Sequence, residues 1–186
     1  MKVLIACEFS GIVREAFKAK GHDAWSCDLL DTEIPGQHIK GDVLGILNDG
    51  WDLMIAHPPC TYFANSGVRW FGVNSERWGN LAQAGTFWMK LELNTINKIC
   101  MENPIPHKYA RAWIGKYSQI IQPWQFGHPE TKATCLWLKN LPKLQPTNIV
   151  NGREARVHKE PPGPDRWKNR SRTYKGIAEA MAEQWG

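Results

Sequence analysis

Residues 3–17 read Val3-Leu4-Ile5-Ala6-Cys7-Glu8-Phe9-Ser10-Gly11-Ile12-Val13-Arg14-Glu15-Ala16-Phe17. Val3–Cys7 is an unbroken small and apolar run, the pattern of a strand buried on both faces. Ile12, Val13, Ala16 and Phe17 then recur at helical spacing, with Ser10 placed to cap the helix and Gly21 to end it. The same strand–turn–helix alternation continues outward. Ala24–Cys27 reads as a second strand followed by Asp28, Ile39 opens a third that ends at Gly41-Asp42, and Leu53–Ala56 is a fourth before His57-Pro58-Pro59-Cys60. A polar, tryptophan-rich loop leads to a helix near 81–96, with Leu81, Ala84, Trp88 and Leu91 on one face. Ile99–Met101 is a fifth strand, ending at Glu102-Asn103-Pro104. Two late strands, Ser118–Ile121 and Cys135–Leu138, flank a turn at Phe126-Gly127-His128-Pro129. Ile177, Met181 and Trp185 mark a final amphipathic helix. Such alternation predicts an α/β fold, Rossmann-like, with a mostly parallel sheet covered by helices on both faces.

The chain has 186 residues, 42% apolar and 22% charged, which suits one globular domain and excludes a wholly disordered chain. No apolar stretch approaches the ~20 residues that span a bilayer, so no membrane partner is expected. Glu8 interrupts the N-terminal apolar run too soon for a signal peptide. Five cysteines with no Cys-x-x-Cys pair argue against a disulfide framework or a structural zinc site, and make a reducing cytoplasm, of a bacterium or a phage-infected host, the expected setting.

The net charge of +5 is uneven. Residues 151–175 hold Arg153, Arg156, Lys159, Arg166, Lys168, Arg170, Arg172 and Lys175 against Glu154, Glu160 and Asp165, so this segment alone carries +5. Pro161, Pro162 and Pro164 predict a loop or extended arm there rather than a helix. Clustered Lys and Arg suit a nucleic-acid phosphate backbone, and equally make a solvated loop. Trp70, Trp78 and Trp88 follow the Pro-Pro-Cys turn; aromatic faces stack on bases, but each tryptophan singly is expected to serve packing.

The chemistry-bearing residues share one position: Glu8, Asp28, Asp42, Cys60 and Glu102 each sit just past an apolar strand. In an open parallel sheet those strand ends line the ligand crevice, although each residue singly is also an ordinary strand terminator. Two prolines fix the chain before Cys60 and present its thiol as a nucleophile, where most free cysteines are simply small buried residues. A Glu102 carboxyl at the end of a neighbouring strand would stand beside that thiol and supply a proton to a polarised ring.

These residues resemble the DNA cytosine-5 methyltransferases, in particular short, stand-alone, phage-type members. Phe9-Ser10-Gly11, Gly41-Asp42, Pro59-Cys60-Thr61-Tyr62-Phe63-Ala64-Asn65-Ser66-Gly67 and Glu102-Asn103 keep the family's order and approximate spacing over residues 1–140. The resemblance implies a class I methyltransferase fold and S-adenosylmethionine as methyl donor. It implies Cys60 as the nucleophile at cytosine carbon 6 and Glu102 as the acid holding ring nitrogen 3 and the exocyclic amine. Phe9, Ser10, Gly11, Asp28 (ribose), Asp42 (adenine) and Pro58 would hold the cofactor, whose methionine carboxylate would meet the N-terminus of the first helix. Pro59, Phe63 and Lys132 would face the substrate, and Arg153, Arg156, Arg166, Lys168 and Arg170 the DNA; no metal is implied.

The departures are specific. Val13 and Arg14 replace two glycines of the family's cofactor motif, and their side chains either crowd the cofactor or, for Arg14, lie outward. In Phe126-Gly127-His128-Pro129-Glu130-Thr131-Lys132-Ala133-Thr134, Glu130, Lys132 and Thr134 replace Gln and two arginines, and Lys132 keeps the charge without the bidentate fork. Only the basic arm 141–173 stands where a target-recognition domain should be, so one domain over 1–186 and low sequence specificity are expected. The alternatives are carbon-5 modification of a free pyrimidine nucleotide or use of another donor, and a catalytically degenerate homologue that binds nucleic acid. An exocyclic-amine methyltransferase fits worse, because Cys60 stands where such enzymes carry an aromatic residue after Pro-Pro.

Overall fold

Val3 and Ile5 face one layer of core while Leu4 and Ala6 face the other, and all four are fully buried. That two-sided burial is what a central parallel strand requires. In the computed structural model, which describes residues 1–186, strand β1 (Lys2–Ala6) lies at the middle of a seven-stranded sheet. The others are β2 (Asp23–Asp28), β3 (His38–Lys40), β4 (Leu53–Ala56), β5 (Lys98–Pro104), β6 (Gln119–Ile121) and β7 (Thr134–Lys139). Their order is β3-β2-β1-β4-β5-β7-β6, with only β7 antiparallel to its neighbours. The order reverses between β1 and β4, which opens a crevice at their carboxyl ends.

Helices α1 (Ile12–Ala19) and α6 (Lys175–Trp185) cover one face; α2 (Glu76–Glu92) and α3 (Arg111–Ile114) cover the other. Ile177, Met181 and Trp185 of α6 are buried against Phe17, Val13 and the sheet, as their spacing predicts. Each such side chain contributes about 1.5–3 kcal/mol by leaving water. Trp88 is the largest side chain of the opposite layer, with Phe63 and Trp137 at ring distances of 5.7 and 4.9 Å.

Three expectations are corrected. The second helix begins at Glu76, not near 81, because Asn74 Oδ1 accepts the Glu76 amide and starts it; Asn94 Oδ1 accepts the Ile96 amide just past its end at Glu92. The basic segment is not an extended arm: α4 (Arg156–Lys159) and α5 (Arg166–Ser171) form on either side of Pro161, Pro162 and Pro164, which break only the stretch between them. Nor does Ser10 supply the principal cap of α1. Gly11 holds the cap position at φ +76°, and the Glu8 carboxylate accepts the amides of Val13 at 2.7 Å and Arg14 at 3.3 Å. Ser10 Oγ supports it, donating to Glu8 at 3.1 Å and accepting the Ile12 amide at 3.3 Å.

Arg14 lies neither toward the crevice nor outward. It is fully buried beneath the loop that follows β2 and donates to Ser26 Oγ at 2.9 Å, Thr32 Oγ1 at 3.1 Å, the Ile34 carbonyl and Glu15 at 2.8 Å. A Cβ at residue 11 would sit 2.7 Å from Arg14 Nη2, so Gly11 is required by both its φ and its neighbour. Arg14→Ala strands these buried acceptors and should lower the unfolding free energy by about 2–4 kcal/mol, the scale of several lost hydrogen bonds to a charged group. Lys18→Ala, half-exposed on the same helix, should stay within about 0.5 kcal/mol. Urea unfolding of the two variants checks this; equal midpoints would remove Arg14 as the support of the loop.

Candidate active site

The register of the central strands sets the site. Ala6 pairs with Cys27 and with Ala56, and Ala56 with Met101. One residue further on, Asp28, Cys7, His57 and Glu102 fall in a single row across the carboxyl edge of β2, β1, β4 and β5. At Cys7 the backbone turns into the left-handed region, φ +58°, which is uncommon for a residue with a side chain. This turn ends β1 and sends Glu8 toward α1.

A cavity of about 130 Å³ opens above the row. Its walls include Glu8, Phe9 and Ser10 from the first turn, His57–Cys60 from the turn after β4, Glu102 and Asn103 from β5, Lys132, and Arg170–Thr173 from the basic segment. Eight residues singled out by sequence therefore meet in one place: Phe9, Ser10, Pro58, Pro59, Cys60, Glu102, Lys132 and Arg170. Asn103 is buried and donates to the Pro58 carbonyl at 2.8 Å, which pins the Pro-Pro turn to β5. The Cys60 carbonyl accepts the amides of Phe63 and Ala64, so the Cys-x-x-Phe stretch is a tight turn with Cys60 exposed at the mouth.

Glu102 is held by a residue the sequence reading left without a role. His57 Nδ1 stands 2.7 Å from Glu102 Oε2, with both side chains about nine-tenths buried. Burial pushes the imidazole down, but the Glu102 hydrogen bond and charge outweigh it and the net direction is up. Burial pushes the Glu102 carboxyl up, but the His57 bond and charge bring it below its ordinary value. The proton the two groups share therefore rests on His57 rather than on Glu102. His57 was findable by counting one residue past Ala56, opposite one residue past Met101. Desolvation, and then the Glu102 charge, hold the Cys60 thiol above its ordinary value against the pull of Lys132 and Arg170, so it rests protonated. Burial depresses Lys132, while Glu102 and Cys60 favour its charge.

The remaining expected site residues lie elsewhere. Asp28 and Asp42 stand beyond the cavity lining, where they accept the Leu30 and Leu44 amides, although both carboxylates are near enough to help burial raise the Cys7 thiol. Gly11 shapes the turn without lining the cavity. Phe63 packs in the core on Trp88 and does not face a substrate. Val13 is buried between α1 and α6, so neither it nor Arg14 crowds the crevice. The α1 N-terminus is not free for a cofactor carboxylate, because Glu8 already takes its amides.

Much of the basic segment is engaged within the protein. Arg153 lies 3.9 Å over the Trp124 ring, Arg156 pairs with Glu130, and Arg166 donates to the Glu160 carbonyl. Arg172 grips Glu33 with two nitrogens, at 2.8 and 2.6 Å, and Trp167 of α5 lies 5.6 Å from the Phe9 ring. Segment 166–173 thereby covers the cavity between Phe9 and Lys132, whose Nζ donates to the Arg172 carbonyl at 3.2 Å. Lys159, Lys168 and Arg170 form no ion pair.

No protein-family model and no curated protein matches the chain. Among solved structures, a prophage-encoded E. coli protein described as a DNA modification methyltransferase superposes with a TM-score of 0.52 at 14% identity, over 80% of this chain and 51% of that one. The methyltransferase EhMeth of Entamoeba histolytica superposes with a TM-score of 0.48 at 13% identity, over 87% of this chain and 59% of that one. This chain spans about half the length of the prophage protein. The likeness to that protein shows the fold: the Rossmann-like α/β fold of class I methyltransferases, mostly parallel with helices on both faces. No helix is long and apolar enough to cross a membrane.

The Arg172–Glu33 fork is about one-third exposed on both sides, so it should contribute only about 0–1 kcal/mol to global stability while fixing the cover. Arg172→Ala should leave the urea midpoint nearly unchanged and raise tryptic cleavage after Lys168 and Arg170 several-fold. The Arg172 bond holds the Glu33 carboxyl below its ordinary value, so the wild-type cover should loosen only as pH falls through that lowered value, where pepsin, active in acid, replaces trypsin as the probe. Limited proteolysis read by mass spectrometry checks both; an unchanged cleavage rate in Arg172→Ala would show that other contacts hold the cover.

Proposed function

We propose that this protein is an S-adenosylmethionine-dependent methyltransferase that modifies carbon 5 of cytosine in DNA through a covalent Cys60 adduct. The observation that carries the reading is the meeting of Cys60, in the turn after β4, and Glu102, in the last half of β5, in one cavity on the edge where this fold binds ligands. Thiol addition to carbon 6 needs charge compensation at ring nitrogen 3, and Glu102 supplies it from the neighbouring strand. Lys132 and Arg170 favour the thiolate that forms. In duplex DNA the base must first leave the stack, at a cost of a few kcal/mol.

The residues that would hold the cofactor's adenosyl end are Asp28, last of β2, and Asp42, just past the adjacent β3, with Phe9 on the wall of the cavity. Buried His57 Nε2 and Asn103 Oδ1 have no protein partner and remain for a ligand in the cavity. When bound, S-adenosylmethionine supplies an electrophilic methyl group. Glu8 would meet its ammonium rather than its carboxylate, since Glu8 already occupies the α1 amides. Segment 166–173 must lift from Phe9 to admit it.

Among the basic residues, Lys159 and Lys168 are outside the cavity and free for phosphate, and contacts of that kind carry little sequence information. The cover over the cavity favours one second reading, carbon-5 modification of a free pyrimidine nucleotide, which needs no access for a polymer.

DNA carrying 5-fluorocytosine should form a stable adduct with the protein in the presence of S-adenosylmethionine, because fluorine cannot leave as a proton. Cys60→Ser should abolish it, whereas Cys100→Ser and Cys135→Ser, at buried positions, should not. Intact-mass analysis reads the result, and an adduct that survives Cys60→Ser removes that residue from the mechanism. Lys159→Ala with Lys168→Ala should reduce the slope of log affinity against log salt by about one per lost duplex phosphate contact, similarly on unrelated sequences. An adduct with the fluorinated free nucleotide and none with DNA would select the second reading.

A further inference from the structure

We propose that His57 is a positioning residue that stores the proton Glu102 delivers to ring nitrogen 3 of the pyrimidine. This rests on the reading of Cys60 and Glu102 given above. The placement is dictated by register: Ala56 pairs with Met101, so the residues that follow, His57 and Glu102, face one another at 2.7 Å. Backbone bonds hold both ends of the contact. The His57 amide donates to the Ala6 carbonyl at 2.9 Å, and Asn103, next to Glu102, donates to the Pro58 carbonyl, next to His57. His57 Nε2 is buried, lines the cavity and has no protein partner, so nothing in the protein competes for the Nδ1 proton except Glu102. Three charged groups face the imidazole: Glu102 from β5, Glu8 from the turn after β1, and Lys132 from the segment before β7. Two carboxylates against one cation favour the imidazolium.

The proton inventory closes. At rest His57 is imidazolium, Glu102 is carboxylate and Cys60 is a thiol. The thiol proton leaves to solvent at the exposed mouth, and sulfur bonds to carbon 6. The carbon 5–carbon 6 π electrons shift toward carbon 4 and nitrogen 3. Glu102 first takes the Nδ1 proton of His57 and then gives it to nitrogen 3, which leaves His57 neutral and Glu102 again a carboxylate. Carbon 5 then bonds to an electrophile, the donor's methyl group or, without donor, a solvent proton. On elimination it gives up its original proton to solvent, and the carbon 6–sulfur bond breaks to regenerate the thiolate, which regains a solvent proton. Nitrogen 3 returns its proton through Glu102 to His57. Without His57 the bond and charge that lower Glu102 are gone and burial raises its carboxyl, so any proton it gives must be one it binds itself.

The test reads exchange of the cytosine carbon-5 hydrogen with solvent in DNA, without methyl donor, in the wild type, Cys60→Ser and His57→Gln. Glutamine keeps an N–H donor for Glu102 Oε2 but holds no titratable proton. Exchange in the wild type should depend on Cys60 and fall as pH rises through the raised His57 value. In His57→Gln that limb should be replaced by one set by the Glu102 carboxyl itself, because burial then raises it. Nitrogen-15 imidazole spectra of the wild type, which has six histidines, read the store without altering His57: one ring should stay doubly protonated above pH 6.5 and lose this in Glu102→Gln. Full exchange with an unchanged pH profile in His57→Gln, or a neutral His57 at pH 7 in a wild type that exchanges, overturns the role of His57 and leaves Cys60 and Glu102 in place. Absence of exchange in the wild type overturns the parent reading, and this role with it, and is distinguished by Cys60→Ser giving the same blank.

Discussion

The Glu8 carboxylate on the N-terminus of α1 is the contact from which the rest of the site follows. A helix start leaves amides without partners and a partial positive charge. Here a buried glutamate meets both needs at 2.7 and 3.3 Å, with Ser10 holding its position. To bring Glu8 there, the chain must leave β1 through a left-handed Cys7 and enter α1 through a left-handed Gly11. That entry angle turns Val13 into the core and Arg14 under the loop after β2. Arg14 in turn fixes Thr32 and Ile34, and the loop carries Glu33, the partner of Arg172. The cover of the cavity is therefore tied through one loop to the cap of the first helix.

This chain of contacts explains how Val13 and Arg14, at positions where the family it resembles has glycines, leave the crevice clear. The glycines at those positions are dispensable when the side chains leave in other directions, and a buried Arg14 with four hydrogen-bonding partners is a reason for it to stay where it is. The consequence lies in the sign of the site. An anion now stands where an empty helix terminus would attract one, so a ligand group near Glu8 has to be cationic or a hydrogen-bond donor. Anionic groups are met on the opposite wall, by Arg170 and Lys132.

The sheet was legible in the sequence because five short apolar runs each ended in a polar residue, and burial on both faces of a parallel sheet produces that pattern. The row Asp28, Cys7, His57 and Glu102 was half legible. The carboxylates stood out by type, whereas His57 was passed over as the first letter of a Pro-Pro-Cys turn, and only pairing register gives it a partner. Phe63 matched a motif, yet its ring packs on Trp88, since an aromatic residue inside a tight turn beside a core gains more from burial than from a wet cavity. The basic segment misled because prolines were read as breaking all of it. They break residues 160–165, and the flanking stretches wind into short helices because Val157 finds the core and Trp167 finds Phe9. Partners such as Trp124 for Arg153 and Glu33 for Arg172 are far apart in sequence and leave no local trace.

On the proposed reading, in which Cys60 is the nucleophile and a pyrimidine ring the substrate, the electrostatics of the cavity define a resting state that is not reactive. Cys60 keeps its proton because its surroundings are partly desolvated and Glu102 is charged; Glu102 is charged because His57 holds the proton beside it. The same carboxylate thus opposes ionisation of the nucleophile and waits to accept a proton. Passing the His57 proton through Glu102 to nitrogen 3 offsets the charge that the adding sulfur pushes onto the ring, and this happens only while a ring is bound. Substrate binding and nucleophile activation are then linked by one proton. A free thiolate, open to oxidation at an exposed cavity mouth, is avoided in the absence of a base.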